Sequence, residues 1–198
     1  MKVSREQAAR NRERIVEVAA KLFREHGFDG VGVADLMHAA GLTHGGFYGH
    51  FESKEELMAE ACARARSEAI SRWQGLAQRV AQKPLAALTR LYLSRAHRDH
   101  PGRGCMLAAL GPEVARQPLP IRNVFTEAVS AMVELLGRLM PGRSKAAARK
   151  KALTACATLV GAIVLARAVS DAALSEEILQ AASTSLSPHE DFLKDSAN

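Results

Sequence analysis

Two groups of residues in this chain have the types and spacing for chemistry. The first is Thr43-His44-Gly45-Gly46-Phe47-Tyr48-Gly49-His50, followed by Lys54. A hydroxyl, a phenol, imidazoles and an ammonium in one short stretch are donors suited to phosphate oxygens. The second is Cys105, preceded by Gly102-Arg103-Gly104, with His97 and His100 upstream. A thiol at the start of a helix has its pKa lowered by the dipole, and nearby cations stabilise the thiolate further. Such a cysteine serves as a sensor, as inert packing, or as the nucleophile of a thiol-dependent enzyme or carrier. Against the enzyme, no positioned base and orienting partner for Cys105 can be picked out. Cys62, Cys105 and Cys156 are odd in number and widely spaced, so they form neither a disulfide framework nor a zinc pattern. No cluster of carboxylates or histidines points to a metal. The expectation is a chain without catalytic residues, metal or cofactor.

The elements that must position these groups are helical. The chain has 198 residues, of which 47% are hydrophobic and only 5% aromatic, with Ala, Leu, Arg and Glu plentiful. No segment alternates with period two, so no sheet is expected. The formal net charge of +6 permits an anionic partner. Residues 1–14 carry Lys2, Arg5, Arg10, Arg12 and Arg14 against Glu6 and Glu13, a basic arm able to lie along phosphates. The same arm also reads as a solvated terminus. No apolar segment follows Met1 as a secretory signal would. The longest apolar stretch, Ala152 to Ala166, contains Thr154 and Thr158 and falls short of the ~20 residues that span a bilayer. A soluble, cytoplasmic protein with no membrane partner is expected.

Ile15, Val18, Ala19, Leu22 and Phe23 form one apolar stripe at helical spacing, and Gly27 is placed to end that helix in a left-handed conformation. A short helix follows from Val33 to Ala40, with Asp35 in its first turn. Gly41 breaks it, and Thr43 is placed to cap a third short helix from about His44 to Phe51. Ser53 and Glu56 then stand in the capping-box pattern at the start of a long helix, Lys54 to about Val80. Pro84 opens a helix through about Arg98, and His100 to Gly104 is a turn. A short helix after Cys105, disturbed by Gly111-Pro112, precedes longer ones over Ile121–Met140 and about Ser144–Val169. Pro141-Gly142 separates these two. A last helix covers about Ser175–Leu186, before a polar tail, residues 187–198. The sum is about nine helices, three short at the front and six larger behind.

Two short helices joined at a Gly-containing turn have the layout of a helix-turn-helix, whose second helix can enter a major groove. The residues make the likeness specific. Arg14-Ile15, Ala19, Leu22-Phe23 and Gly27-Phe28 are followed by Val33, Asp35 and Ala40-Gly41-Leu42-Thr43. Then come Gly45, Phe47-Tyr48, His50-Phe51, Ser53-Lys54-Glu55 and Leu57. Over residues 10–60 this resembles the N-terminal DNA-binding domain of the TetR (tetracycline-repressor) family. The chain departs from the family's pattern before the second helix, where Ser or Thr is usual and Val31-Gly32 stands. It also departs in the glycines of the recognition helix, Gly45, Gly46 and Gly49, each costing about 1 kcal/mol against Ala in a helix interior.

The resemblance implies an all-α protein with a helix-turn-helix domain over residues 1–55 and a helical ligand-binding and dimerisation domain over 56–198. It implies a homodimeric repressor on a double-stranded operator; activation instead of repression stays open. The residues expected at the DNA are Arg5, Arg10, Thr43, His44, Gly45, Gly46, Tyr48, His50 and Lys54. Tyr48 and His50 also read as packing residues. His44, Gly45 and Gly46 would lie nearest the bases. A pocket for a small apolar ligand is expected among Trp73, Leu91, Tyr92, Cys105, Met106, Leu110 and Phe125, each of which also reads as core. The Gly-Cys-Met-Leu segment around Cys105 resembles the region of the sensor cysteine in electrophile- and oxidant-sensing members of the family. A dimer interface is expected through Leu153, Cys156, Val160, Ile163, Val164, Ile178 and Leu179, on two helices that make a four-helix bundle with a second copy.

Overall fold

The computed structural model describes residues 4–80, 82–140, 142 and 144–186. Lys2 of the basic arm, Pro141 and the polar tail lie outside that range. Among the described residues there are nine α-helices, two 3₁₀ segments and no strand. They run in the order α1 (Arg5–His26), α2 (Val33–Ala39), a 3₁₀ segment (His44–Gly49), α3 (Lys54–Arg79), α4 (Pro84–Tyr92) and α5 (Arg95–Asp99). A second 3₁₀ turn (Pro101–Arg103) leads to α6 (Met106–Val114), α7 (Leu119–Leu139), α8 (Lys145–Ala168) and α9 (Ala172–Leu186). This is the all-α class expected.

The helices form two compact units. One joins residues up to Ala69 with His100–Val129; the other joins Ile70–Asp99 with the chain from Ser130. Within the first, α1 packs against α2, α6 and the Pro101–Arg103 turn. Of its predicted stripe it buries Ile15, Ala19 and Phe23 and leaves Val18 and Leu22 half-buried, and it also buries Val16, Ala20 and Arg24. These last three recur every fourth residue and give α1 a second buried row. Arg24 ends that row, and its Nε and Nη2 donate to the Gly102 carbonyl at 3.1 and 2.6 Å.

The α1 terminus is more specific than its sequence suggests. Gly27 has φ 78° and ψ 172°, an extended positive-φ conformation reserved for glycine, in place of the left-handed one expected. A Cβ there would lie 2.5 Å from a carboxylate oxygen of Glu113. That carboxylate, on α6, accepts the Phe28 N–H at 2.8 Å. The Phe28 carbonyl in turn accepts from Lys54 Nζ at 2.6 Å. The peptide units around Phe28 are thus held from α6 on one side and α3 on the other.

In the second unit α8 packs on α9 and α5, and α4 on α9. Arg167 donates to the carbonyls of His97 and Arg98. The Ser175 hydroxyl donates to the Ala166 carbonyl at 2.6 Å. The helix expected from Pro84 to Arg98 is divided: α4 ends at Tyr92, and Ser94 restarts the chain by accepting the His97 N–H on its hydroxyl.

Candidate nucleic-acid interface

The turn between α2 and the 3₁₀ segment explains how the candidate residues are presented. Ala40 N–H bonds Leu36, and Leu42 N–H reaches back to Met37 at 2.9 Å across Gly41, whose φ is 68°. This six-to-one bond around a left-handed glycine is the Schellman ending, and it turns the chain sharply into Thr43. At the other end of α2, Gly32 has no side chain to cap with. The Asp35 carboxylate accepts the Gly32 N–H at 3.1 Å and closes the helix from within.

Thr43 stands at the N-cap in an extended conformation, with no side-chain cap hydrogen bond. Its carbonyl accepts the Gly46 N–H at 3.0 Å, and Phe47 accepts from His50 at 2.8 Å. The segment is therefore a 3₁₀ helix with i→i+3 bonds. Three glycines in six residues remove the propensity that would hold an α-helix, which accounts for the tighter form.

Phe47 anchors the segment and is fully buried; its ring stacks on Phe51 with centroids 5.6 Å apart and meets Tyr48 edge-on at 5.3 Å. With Phe47 facing in, Thr43, His44, Gly45, Tyr48 and Gly49 face out, and Gly46 and His50 are half-buried. Tyr48 is 72% exposed, the largest exposure among the large hydrophobic side chains of the described residues. Apart from its chain neighbours and the segment's own backbone, nothing described lies within 4 Å of a Cβ built on Gly45 or Gly49. The fold itself does not require glycine at either place.

The cations are distributed differently from the sequence expectation. Arg5 and Arg10 belong to α1, which starts at a Ser4 cap accepting the Gln7 N–H at 3.1 Å. Arg10 pairs with Glu6 one turn back. Lys54 is turned inward onto the Phe28 carbonyl. Arg12, counted only as part of the basic arm, holds the His50 carbonyl, Glu56 and Glu60, and lies 4.1 Å from the Phe51 ring centroid. Burial works against the Arg12 charge, but its hydrogen bonds to Glu56 and Glu60 outweigh this and raise its pKa. The hydrogen bond from Arg12, and then that from the Glu52 N–H, hold the Glu56 carboxyl below its ordinary value. Ser53 caps α3 as expected, accepting from Glu56 N–H at 3.2 Å, while the Glu56 carboxylate returns to Glu52 instead of Ser53.

The pocket candidates divide between the units. Cys105, Met106 and Leu110 are buried in the first, with Phe125 half-buried. In the second, Trp73 and Tyr92 are buried with ring centroids 5.6 Å apart, and Leu91 faces outward at 45% exposure. Cys105 does open α6, but it is 3% exposed. Burial pushes the Cys62 thiol up to about 12. Burial also brings the His97 imidazole down to about 4, against its bond to the Tyr92 carbonyl.

On α8, Leu153 is exposed and Val160 and Val164 are half-exposed, as is Ile178 on α9. Cys156, Ile163 and Leu179 face inward and complete the chain's own core. Ala157, Leu165, Ala168 and Leu174 are exposed apolar residues on the same two helices. Burial alternating along each helix separates the two sets; the composition of α8, apolar on nearly all sides, hides it. By length and composition α8 also passes for a membrane span, with a mean hydropathy of 1.5. One such helix is weak evidence, because a core or interface helix passes the same test.

Residues 15–61 match the family described as bacterial regulatory proteins, tetR family. The chain is 31% identical over 88 residues to the HTH-type transcriptional repressor KstR2 of Mycolicibacterium smegmatis, covering 44% of this chain and 42% of that one. It is 33% identical over 106 residues to the repressor AcnR of Corynebacterium diphtheriae, covering 54% and 50%. The matches thus span half or less of these relatives' lengths. Among solved structures, reduced NemR of E. coli superposes with a TM-score of 0.76 at 21% identity, covering 90% of this chain and 95% of that one. A TetR transcriptional regulator from Chloroflexus aurantiacus superposes with a TM-score of 0.73 at 26% identity, covering 93% and 96%.

Proposed function

We propose that the chain is a TetR-family regulator, on the match of residues 15–61, and that it is a DNA-binding transcriptional repressor acting in the cytoplasm as a homodimer. One observation carries the reading. The face Thr43, His44, Gly45, Tyr48 and Gly49 turns outward from a buried Phe47–Phe51 anchor, presenting donors and bare backbone together. Two such faces, one per protomer, would enter successive major grooves of a near-palindromic operator. Thr43, Tyr48 and His50 would meet phosphates, His44 a base edge, and Gly45 and Gly46 would allow backbone approach. Arg5 and Arg10 would lie along the flanking phosphates. Lys54 would reach a phosphate by leaving the Phe28 carbonyl.

The second copy would pack on the outward apolar face of α8 and α9, around Leu153, Ala157, Val160, Val164 and Ile178. A small apolar ligand beside Trp73 and Tyr92 in the second unit, or beside Met106, Leu110 and Phe125 in the first, or an electrophile at Cys105, would favour a conformation with the wrong head spacing. What supports the Cys105 route is its place: the residue stands at the N-cap position of α6, directly after the turn whose Gly102 carbonyl holds Arg24 of α1. No catalytic role is proposed.

The test is salt-dependent binding to DNA from the gene's own upstream region, with and without N-ethylmaleimide. Competitor-resistant binding to one segment supports the repressor. Its loss on alkylation, absent in Cys105→Ser, supports the sensor, and indifference to alkylation leaves the ligand pocket. If a wider DNA selection also yields no specific site, the reading fails.

A further inference from the structure

We infer that Arg12 is a positioning residue for DNA recognition and not a phosphate contact: its guanidinium fixes the C-terminal end of the His44–Gly49 segment to α1 and α3. The inference rests on the DNA-binding reading above. The last carbonyls of any helix lack partners within it, and in a segment this short they make up most of what could anchor it. The His50 carbonyl accepts from Arg12 Nη1. Nη2 donates to Glu56 at 2.8 Å and to Glu60, both on α3. The plane lies on Phe51, the residue that follows His50 and stacks on Phe47.

Only a guanidinium suits this place. Its planar fork can give one edge to a carbonyl and the other to carboxylates while its face rests on a ring. An ammonium carries the same charge without the fork or the face. The need for such a clamp follows from the glycines. Within His44–Gly49 only Phe47 is buried, and open space surrounds the Cβ positions of Gly45 and Gly49, so side-chain packing fixes the segment at one point. The Gly41 turn holds its start, and Arg12 holds its end. Arg12 is also poorly placed to attract DNA. It faces two carboxylates, so the triad as a whole is negative.

The experiment compares the full-length chain with Arg12→Lys, Arg12→Gln and Glu60→Gln. Fluorescence anisotropy is measured on a selected specific duplex and on a random duplex, across salt. Amide exchange over residues 44–51 is followed without DNA. With Arg12 as a positioning residue, Lys fails to rescue: both Arg12 variants lose about tenfold or more in specific affinity. The salt slope and random-duplex binding stay unchanged. Glu60→Gln weakens specific binding, and exchange over 44–51 quickens while the thermal midpoint moves little. With Arg12 as a phosphate contact, Lys keeps the affinity and Gln lowers the salt slope by about 0.9. Glu60→Gln then strengthens binding by freeing a cation. That set, or unchanged exchange over 44–51, overturns the inference. A wild-type chain that binds no duplex overturns the DNA-binding reading instead, and the exchange measurement still decides whether Arg12 orders the segment.

Discussion

Replacing Gly27 by Ala should be among the most costly single-methyl changes in the molecule. The backbone there, at φ 78° and ψ 172°, costs a residue with a Cβ about 1–3 kcal/mol. The new methyl would also stand 2.5 and 2.9 Å from the two Glu113 carboxylate oxygens, so that carboxylate must withdraw. Withdrawal breaks its bond to the Phe28 N–H, and a hydrogen bond to a charged group is worth about 1.5–3 kcal/mol. The sum is about 2.5–6 kcal/mol, or a fall in thermal midpoint of about 5–24 °C for a chain of this size. The two contributions separate in a double-mutant cycle with Glu113→Ala. There the hydrogen bond is already gone, so Gly27→Ala should cost only the backbone strain. Chemical denaturation followed by far-UV circular dichroism measures all four chains. An equal cost of Gly27→Ala in both backgrounds would refute the coupling. A cost below about 1 kcal/mol in the wild type would refute the strain as well.

Gly49→Ala should separate stability from binding. With open space around the new methyl, the free protein should gain about 0.4–1 kcal/mol, while affinity for a specific duplex falls; a variant that gains both would show that the bare backbone is not used. Ala157→Glu places a charge on the exposed apolar face of α8, and sedimentation should show a dimer converted to monomer with helicity retained; an unaffected dimer would put the interface elsewhere. His97 is half-buried, with its folded pKa near 4 against an ordinary 6.5, so its contribution is fully present above pH 6.5 and is lost as pH falls towards 4. The total is about 3 kcal/mol, and His97→Gln should flatten the stability profile across that window; an unchanged slope would assign the acid sensitivity to other groups.

The parts of the head that were legible in the sequence are those with local signals. The α1 stripe, the Gly41 ending of α2 and the Ser53 cap each lie within a few residues of their own cause, and each appears where expected. The glycines of the recognition segment announced weak helicity, and the 3₁₀ form is its result. What escaped notice are pairings between distant residues. Arg12 and Glu60 are 48 positions apart, and Phe28 and Glu113 are 85 apart. Nothing in a single sequence marks one arginine of a basic arm as a clamp, or one lysine as a ligand of a carbonyl. The outward and inward faces of α8 were likewise unreadable, because Ala, Val, Leu and Ile occupy both.

The bonds from Arg24 to Gly102 and from Phe28 to Glu113 carry a consequence for the order in which the protein comes to exist. The first 69 residues hold every element of the reading head, yet the compact unit that contains them is finished only by residues 100–129. Ribosomes deliver about 5–20 residues per second, so the stretch from residue 70 to Glu113 takes about 2–9 s to arrive. During that interval Arg24 of α1 and the Phe28 N–H await the Gly102 carbonyl and the Glu113 carboxylate that they bond in the finished unit. The nascent chain therefore completes the unit that holds the His44–Gly49 segment only after residues 100–129 have been synthesised. A prematurely terminated product lacking α6 would hold the recognition segment on an unfinished support.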